Sequence, residues 1–219
     1  MKLIDDLRAD HDLIDEVLGS LRTYVDRRLR DQADPADGER FVSFFKRFAG
    51  DFHHAKEEDT LFPALHAQAD LPEHGPIAVL TSDHRRMGGV LNELGALLSA
   101  ETLQEAQRTR LDELVSEYSH ALWHHIDAEN SVLLPESEAR LAKKGVRDLP
   151  SRPMTSEEAA ARAAGEQLLG VYPPTPDPSI VRGEGCVCCR AFGDSCRGLE
   201  REWWNEWEWE EFEDHLGGD

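Results

Sequence analysis

The sequence predicts an all-α protein: an up-down-up-down four-helix bundle followed by a C-terminal extension that mixes helix and loop. Four long segments place apolar residues at alternating steps of three and four, the spacing that puts side chains on one face of an α-helix. Short runs rich in Pro, Gly and Asp separate these segments. No alternating polar and apolar run of useful length, as a strand would show, occurs between them.

Each of the four segments has its own apolar stripe. The first stripe consists of Leu7, His11, Ile14, Leu18, Leu21 and Val25. The second is richer in aromatic residues and consists of Phe41, Phe45, Phe48, Phe52 and Leu61 beside Ala49, His53 and Glu57. The third consists of Ile77, Leu80, His84, Met87, Leu91, Leu94 and Leu98. The fourth consists of Leu111, Leu114, Tyr118, Leu122, His125, Glu129 and Val132.

Turn-forming residues mark the links between these helices. The links are predicted at 34–38, which begins Asp-Pro and ends in Gly, at 71–76, and near 99–102. Because short links join antiparallel neighbours, the four helices should run up, down, up and down. We expect this bundle to occupy residues 1–147 and the C-terminal extension to occupy residues 148–219.

The extension contains four different kinds of sequence. Residues 155–158, Thr-Ser-Glu-Glu, form a capping box that predicts an alanine-rich helix ending at Gly170. A stiff proline-rich linker follows at 173–178. Four cysteines lie between 186 and 196, and an acidic, tryptophan-rich segment covers 200–216.

The composition excludes several classes of function. A formal net charge of -20 disfavours binding to nucleic acid and to anionic membranes. The N-terminus lacks the apolar core of a signal peptide, and no stretch approaches the length of a membrane span. We therefore expect a cytoplasmic protein that contacts neither a membrane nor nucleic acid.

Polar residues stand on the apolar stripes of all four helices. His11, His84 and His125 take stripe positions, and His53 lies beside the stripe of the second helix. Glu57 and Glu129 each follow a histidine by four residues, which puts an imidazole and a carboxylate on the same helix face. One such histidine is usually an ordinary core residue. Four imidazoles and two carboxylates buried together are costly unless cations neutralise them, and the set predicts a metal site.

The type of donor narrows the choice of metal. Imidazole with carboxylate suits iron, manganese or zinc, and the bundle contains no thiolate. Six side chains leave open coordination positions on two metal ions, which O₂, NO or peroxide chemistry requires.

Two segments resemble a known motif. Residues 53–63 read HHAKEEDTLFP and resemble the H-x₃-E-E-x-x-L-F-P motif of hemerythrin-like (HHE cation-binding) domains, and residues 125–135, HIDAENSVLLP, resemble a second copy. The spacing shared by the two copies selects His53 over His54, so that His54, His120 and His124 are expected on a more exposed flank. His11 and His84 match the single histidines of the first and third helices of that family.

The resemblance implies two iron ions with an oxo or hydroxo bridge. His11 and His53 would bind one iron, His84 and His125 the other, and Glu57 and Glu129 would bridge them. Oxygen-carrying members have a fifth histidine one turn after the third-helix histidine, where this chain has Gly88 followed by Gly89. Simple oxygen carriage is therefore disfavoured, and the chain is more similar to relatives with four histidines and two glutamates. The two glycines have two interpretations, space beside one iron and close packing between helices. Glu58 and Asn130 are expected to support the ligands.

Three functions remain open at this point. The first is binding or reduction of a small oxidant: O₂, peroxide or NO. The second is an iron store, donor or sensor that signals through the extension. The third is a di-iron oxygenase or oxidase for an organic substrate, which an apolar pocket reaching the metals would favour. Whether the chain is an enzyme, as a di-iron oxidoreductase of peroxidase, NO-reductase or oxygenase type, therefore stays open.

The cysteines and the tail carry separate predictions. Cys186, Cys188, Cys189 and Cys196 could hold zinc or an iron–sulfur cluster, exchange electrons as redox thiols, or simply be structural. In the tail, Leu199, Trp203 and Trp207 step by four. This predicts a helix that docks on the bundle, on a second subunit in a homodimer, or on a redox partner.

Overall fold

The computed structural model describes residues 1–72 and 75–175, and this part of the chain is helical, with no strand. The first helix is α1 (Lys2–Arg28). The second is continuous and is built from α2 (Pro35–Ser43), two π-helical segments (Phe44–His54 and Glu57–Leu61) and α3 (Phe62–Ala69). The third is α4 (Pro76–Leu98). The fourth joins α5 (Glu105–Ala128), a π-helical segment (Glu129–Leu133) and α6 (Leu134–Lys143). After the bundle comes α7 (Ser156–Val171).

The four helices close into a ring of antiparallel neighbours, which confirms the predicted bundle. α1 packs against α5, α5 against α4, and both α1 and α4 against the second helix. The stripe residues are buried, apart from the partly exposed Ile77. Asp34 caps α2 by accepting a hydrogen bond from the Ala36 amide at 2.9 Å. The predicted first link therefore ends earlier than expected, and Gly38 lies inside α2, where its Cα faces the Leu98 carbonyl too closely for a Cβ.

The extension begins as predicted and then joins the bundle core. Thr155 and Glu158 form the capping box of α7, and Glu158 also accepts hydrogen bonds from Arg152 at 2.6 and 2.8 Å. α7 packs on the Phe44–His54 segment, on α1 and on α2. A Cβ built at Gly165 would lie 2.3 Å from a ring carbon of Phe44, so only glycine permits this approach.

Two separate apolar clusters make up the core. One fills the end of the bundle around Phe45, Leu94 and Leu114, and it includes Leu168 and Tyr172 of the extension. The other fills the opposite end around Leu7, Leu65 and Leu134. Between the two clusters lies a layer of polar side chains, which contains the predicted metal ligands.

Candidate metal centre

The structure brings all six predicted ligands together in this polar layer. Each side chain comes from the middle of its helix, between residues of the two apolar clusters. The relative exposures are 1% for His11, 1% for His53, 0% for Glu57, 7% for His84, 2% for His125 and 0% for Glu129. A layer this far from water must satisfy its polar atoms internally.

Three π-helical segments shape the layer, and the periodicity of the sequence did not predict them. His53 ends the segment Phe44–His54, Glu57 begins Glu57–Leu61, and Glu129 begins Glu129–Leu133. Hydrogen bonds from i to i+5 put more residues into each turn, so successive side chains point in more similar directions than in an α-helix. π-Helical turns are rare and are frequent at functional sites.

Each buried carboxylate spans two histidine pairs. Glu57 places Oε1 3.5 Å from His53 Nε2 and Oε2 3.5 Å from His84 Nε2. Glu129 places Oε2 3.1 Å from His11 Nε2 and Oε1 3.3 Å from His125 Nε2. Both carboxylates therefore face the His11/His53 side with one oxygen and the His84/His125 side with the other, as bridging ligands of two cations would.

The Nδ1 atoms of the histidines point away from the centre toward polar partners. His11 Nδ1 donates to Asn130 Oδ1 at 2.8 Å, and His84 Nδ1 donates to Glu58 Oε1 at 2.6 Å. Glu58 and Asn130 therefore contact two of the histidines, as the expected supporting role would require.

The other two histidines have aspartate partners, which the sequence analysis missed. His53 Nδ1 donates to Asp10 Oδ2 at 3.3 Å, and His125 Nδ1 lies 3.9 Å from Asp83 Oδ2. Asp10 and Asp83 directly precede His11 and His84 in the sequence, which was the available signal. Partners at Nδ1 orient an imidazole so that its Nε2 is free to bind a metal.

Several polar atoms of the layer have no hydrogen bond of good geometry within the described part of the chain. On the inner side of the layer they are both carboxylate oxygens of Glu57, both carboxylate oxygens of Glu129, and His11 Nε2; on the outer side, His125 Nδ1 also lacks one. Burying a carboxylate without such partners destabilises the fold, because no interaction offsets the loss of its hydration. In addition, His84 Nε2 and His125 Nε2 approach to 2.9 Å. The donor set therefore fits bound cations, which would accept the lone pairs of the carboxylate oxygens and of the Nε2 atoms.

Burial and mutual charge shift the pKa values in this layer in opposite directions. Burial, reinforced by the Glu129 charge, raises the pKa of Glu57 well above its ordinary value. Burial lowers the pKa of His53 and His54 well below the ordinary range, and that of His84 to about 2. These three imidazoles are therefore neutral at pH 7 and can act as ligands.

One pair behaves differently. Burial alone would raise the pKa of Glu129 and lower that of His125, but the attraction between the two groups prevails. The pKa of Glu129 is lowered, with help from His11, and that of His125 is raised, with help from Asp83. Without metal, attraction between Glu129 and His125 therefore favours their charged forms, whereas the neighbours of Glu57 favour its neutral form.

The position of His54 differs from the prediction. Its ring was expected on an exposed flank, but it stacks on His84 with ring centroids 3.7 Å apart and an interplanar angle of 7°. The π-helical end of Phe44–His54 turns His54 toward the layer beside His53. By contrast, His120 and His124 are exposed, as expected.

The donor atoms fall into two groups of four residues. One group is His11, His53, Glu57 and Glu129, and the other is His54, Glu57, His84 and His125. Within each group, one donor atom from every residue lies within 4.8 Å of the others. Glu57 belongs to both groups, so the layer offers two adjacent positions for metal ions.

A cavity of about 530 Å³ extends from the surface to this layer between the second helix and α4. His54 and His84 of the layer line it, together with Gly88, Tyr118 and Leu122. A Cβ built at Gly88 or Gly89 has no neighbour within 4 Å, which rules out close helix packing as the reason for these glycines. Gly88 instead leaves space one turn from His84.

The two halves of the layer are close to a repeat. Asp-His at 10–11 corresponds to Asp-His at 83–84, and 53–58 corresponds to 125–130. Both copies share the histidine and the first glutamate, and the other four positions differ. His54 pairs with Ile126, Ala55 with Asp127, Lys56 with Ala128 and Glu58 with Asn130. Lys56 is buried and donates to Asp10 at 2.5 Å, so the half that contains it holds a buried ion pair.

Some predictions fall outside the described residues. Cys186, Cys188, Cys189 and Cys196 and the tryptophan-rich tail belong to this group, so the second metal or redox site and the docking helix stay predictions. The division into a bundle over 1–147 and an extension over 148–219 also stays a prediction. Among the described residues, none of the helices combines the length and apolarity that crossing a bilayer requires.

The fold and the polar layer define a helical bundle built around a buried His/carboxylate centre that can hold metal. The chain belongs to the family of the hemerythrin HHE cation binding domain, whose profile matches residues 2–137. A curated relative is the iron-sulfur cluster repair protein YtfE of Edwardsiella ictaluri (strain 93-146), which is 32% identical over 90 residues. The match covers 40% of this chain and 41% of that protein, so less than half of the relative is represented. No solved structure matches the chain.

Proposed function

We propose that the chain holds two iron ions in the polar layer and binds or reduces a small oxidant: O₂, peroxide or NO. One iron would be held on the His11/His53 side and the other on the His84/His125 side. Glu57 and Glu129 would bridge them.

The observation that carries this proposal is the placement of the two carboxylates. Each of them presents one unpartnered oxygen to each histidine pair, at 3.1–3.5 Å from the Nε2 atoms. A single cation would use one side of this arrangement and leave the other side uncompensated. The geometry therefore favours a pair of cations.

The donor set and the family support iron. Imidazole and carboxylate are ligands that iron accepts, and the family is one of cation-binding domains. When bound, an iron pair supplies electrons and open coordination positions for a small oxidant. The chain itself supplies imidazoles oriented through Nδ1 and apolar clusters at both ends of the layer.

Metal content and optical spectra test this proposal directly. We expect about two irons per chain after anaerobic purification, and absorption bands that change when air, peroxide or NO is added. His11→Ala and His84→Ala should each weaken iron binding while the helical circular dichroism stays unchanged. Protein that holds no iron when iron is supplied would contradict the proposal. A bound-iron spectrum that stays unchanged with all three oxidants would contradict the binding or reduction of a small oxidant.

The cavity favours a second candidate, oxidation of an organic substrate. Most of the surface of the cavity is apolar, and Met87, Leu91 and Leu122 are among the side chains that line it. Gly88→Leu would fill the space beside His84, whereas Gly89→Leu is a matched control because Gly89 does not line the cavity. Loss of turnover with an organic substrate but not with peroxide in Gly88→Leu alone would favour this candidate.

The named relative favours a third candidate, an iron donor or sensor. The name of that relative concerns repair of iron–sulfur clusters. This function predicts reversible release of iron without turnover, together with a change in protease sensitivity of the segment after residue 175. Rapid catalytic consumption of an oxidant would count against it.

A further inference from the structure

His54 is a donor that the six-residue set does not contain. Its ring stacks on His84 at 3.7 Å and lies edge-on to His125 with centroids 6.0 Å apart. One donor atom of His54 lies within 4.8 Å of donors from Glu57, His84 and His125. The imidazole thus lies in the same cluster as residues already assigned to one metal position.

The local backbone explains why His54 reaches this cluster. In an α-helix, adjacent side chains diverge widely, and His53 alone would face the centre. The π-helical segment Phe44–His54 reduces this divergence, so both histidines face the layer. His53 then belongs to one donor group and His54 to the other.

The near-repeat of the two halves shows that this donor is specific to one side. The position equivalent to His54 in the second motif copy is Ile126, which packs in the apolar core. The His84/His125 side therefore has an additional nitrogen donor, and the His11/His53 side does not.

We propose that His54 is a third imidazole ligand of the metal position formed by His84, His125 and Glu57. This inference rests on the proposed function, because it assigns a ligand within the same centre. It makes the two metal positions unequal in nitrogen donors, three against two. It also places the three-nitrogen position next to the cavity, which His54 lines.

Iron affinity and Mössbauer spectroscopy of His54→Ala test the proposal. Wild-type protein loaded with enriched iron should give two distinct quadrupole doublets. His54→Ala should shift one doublet only and weaken iron binding at one position by at least about tenfold in competition with a chelator. His124→Ala is the matched control, since His124 precedes the other ligand histidine but is exposed.

Two rescue measurements separate ligation from a merely structural role. Free imidazole should restore the shifted doublet of His54→Ala, because the cavity leads to the space vacated by the ring. In the double variant His54→Ala/Gly88→His, the new histidine lies one turn after His84 on the same face, in open space, and should also restore tight binding.

The outcomes distinguish this inference from the proposed function. If wild-type protein binds no iron, the proposed function itself is refuted. If wild-type protein binds two irons, and His54→Ala matches it in affinity and in both doublets, only the role of His54 is refuted. Should His54→Ala lose its helical circular dichroism, the same comparison is made with His54→Gln, which keeps a polar side chain of similar reach.

Discussion

Replacing Glu57 by glutamine removes one buried titratable carboxyl group from the metal-free layer while keeping the size of the side chain. In the metal-free protein, burial and the Glu129 charge raise the pKa of Glu57 well above its ordinary value. A carboxyl group with a raised folded-state pKa contributes most to stability below its unfolded pKa of about 4.5, and this contribution is lost as the pH rises toward the folded value. Metal-free Glu57→Gln should therefore be more stable than metal-free wild type at pH 8.

The size of the effect follows from linkage. Each unit by which the pKa is raised costs the wild type about 1.4 kcal/mol once the pH exceeds both values. For a chain of this size, that corresponds to about 3–5 °C in melting temperature per unit. The difference between variant and wild type should be small at pH 4.5 and should grow up to pH 8.

Glu129→Gln is the matched control with the opposite sign. Burial would raise the pKa of Glu129, but attraction to His125 and His11 lowers it, so its charge stabilises the metal-free fold. Its removal should lower the melting temperature at pH 7. The assay is thermal or urea unfolding of chelator-treated protein across this pH range. A lower melting temperature for metal-free Glu57→Gln at pH 8, or the same sign for both variants, would refute the reasoning. Both variants should also bind iron more weakly than the wild type.

Three further predictions concern single side chains. Gly88→Ala should raise the free energy of unfolding by about 1 kcal/mol, because the new Cβ meets no neighbour and alanine favours helix. Gly165→Ala should lower the free energy of unfolding by about 1–2 kcal/mol, because its Cβ would clash with the Phe44 ring. Urea unfolding measures both changes. Glu158→Gln should lower the free energy of unfolding by about 1 kcal/mol at pH 7. Because hydrogen bonds from Arg152 lower the pKa of Glu158 to about 2, this difference from wild type should vanish as the pH falls from 4.5 to 2, which thermal melts would measure. Asn130→Ala should weaken iron binding about 10–100-fold in chelator competition without unfolding the bundle.

Much of the bundle could be predicted because its signal is local. The apolar stripes and turn residues gave the four helices, and the capping box at 155–158 gave the start of α7. The six predicted ligand positions, which the structure buries together, were visible because polar residues interrupted or flanked those stripes. Their helix faces are determined by spacing along a single chain segment.

The features that were missed depend on packing between segments. The π-helical turns arise where the second and fourth helices meet the rest of the layer, and apolar periodicity of 3.6 does not encode them. His54 was misplaced for this reason. Asp10 and Asp83 were missed because each contacts a histidine of another helix, and the cavity exists only once α4 lies beside the second helix.

The way α7 closes over the bundle determines where the chain can be shortened. The family match ends at residue 137, yet Leu168 and Tyr172 belong to the same core as Phe44 and Tyr24. Tyr172 also donates to Asp37 at 2.8 Å, and the Ser20 hydroxyl donates to its carbonyl at 2.7 Å. A fragment ending at the motif boundary would expose the aromatic surface directly behind the segment that carries His53. We therefore expect a stable fragment to extend at least through Tyr172, and we expect shorter fragments to bind metal at a damaged site.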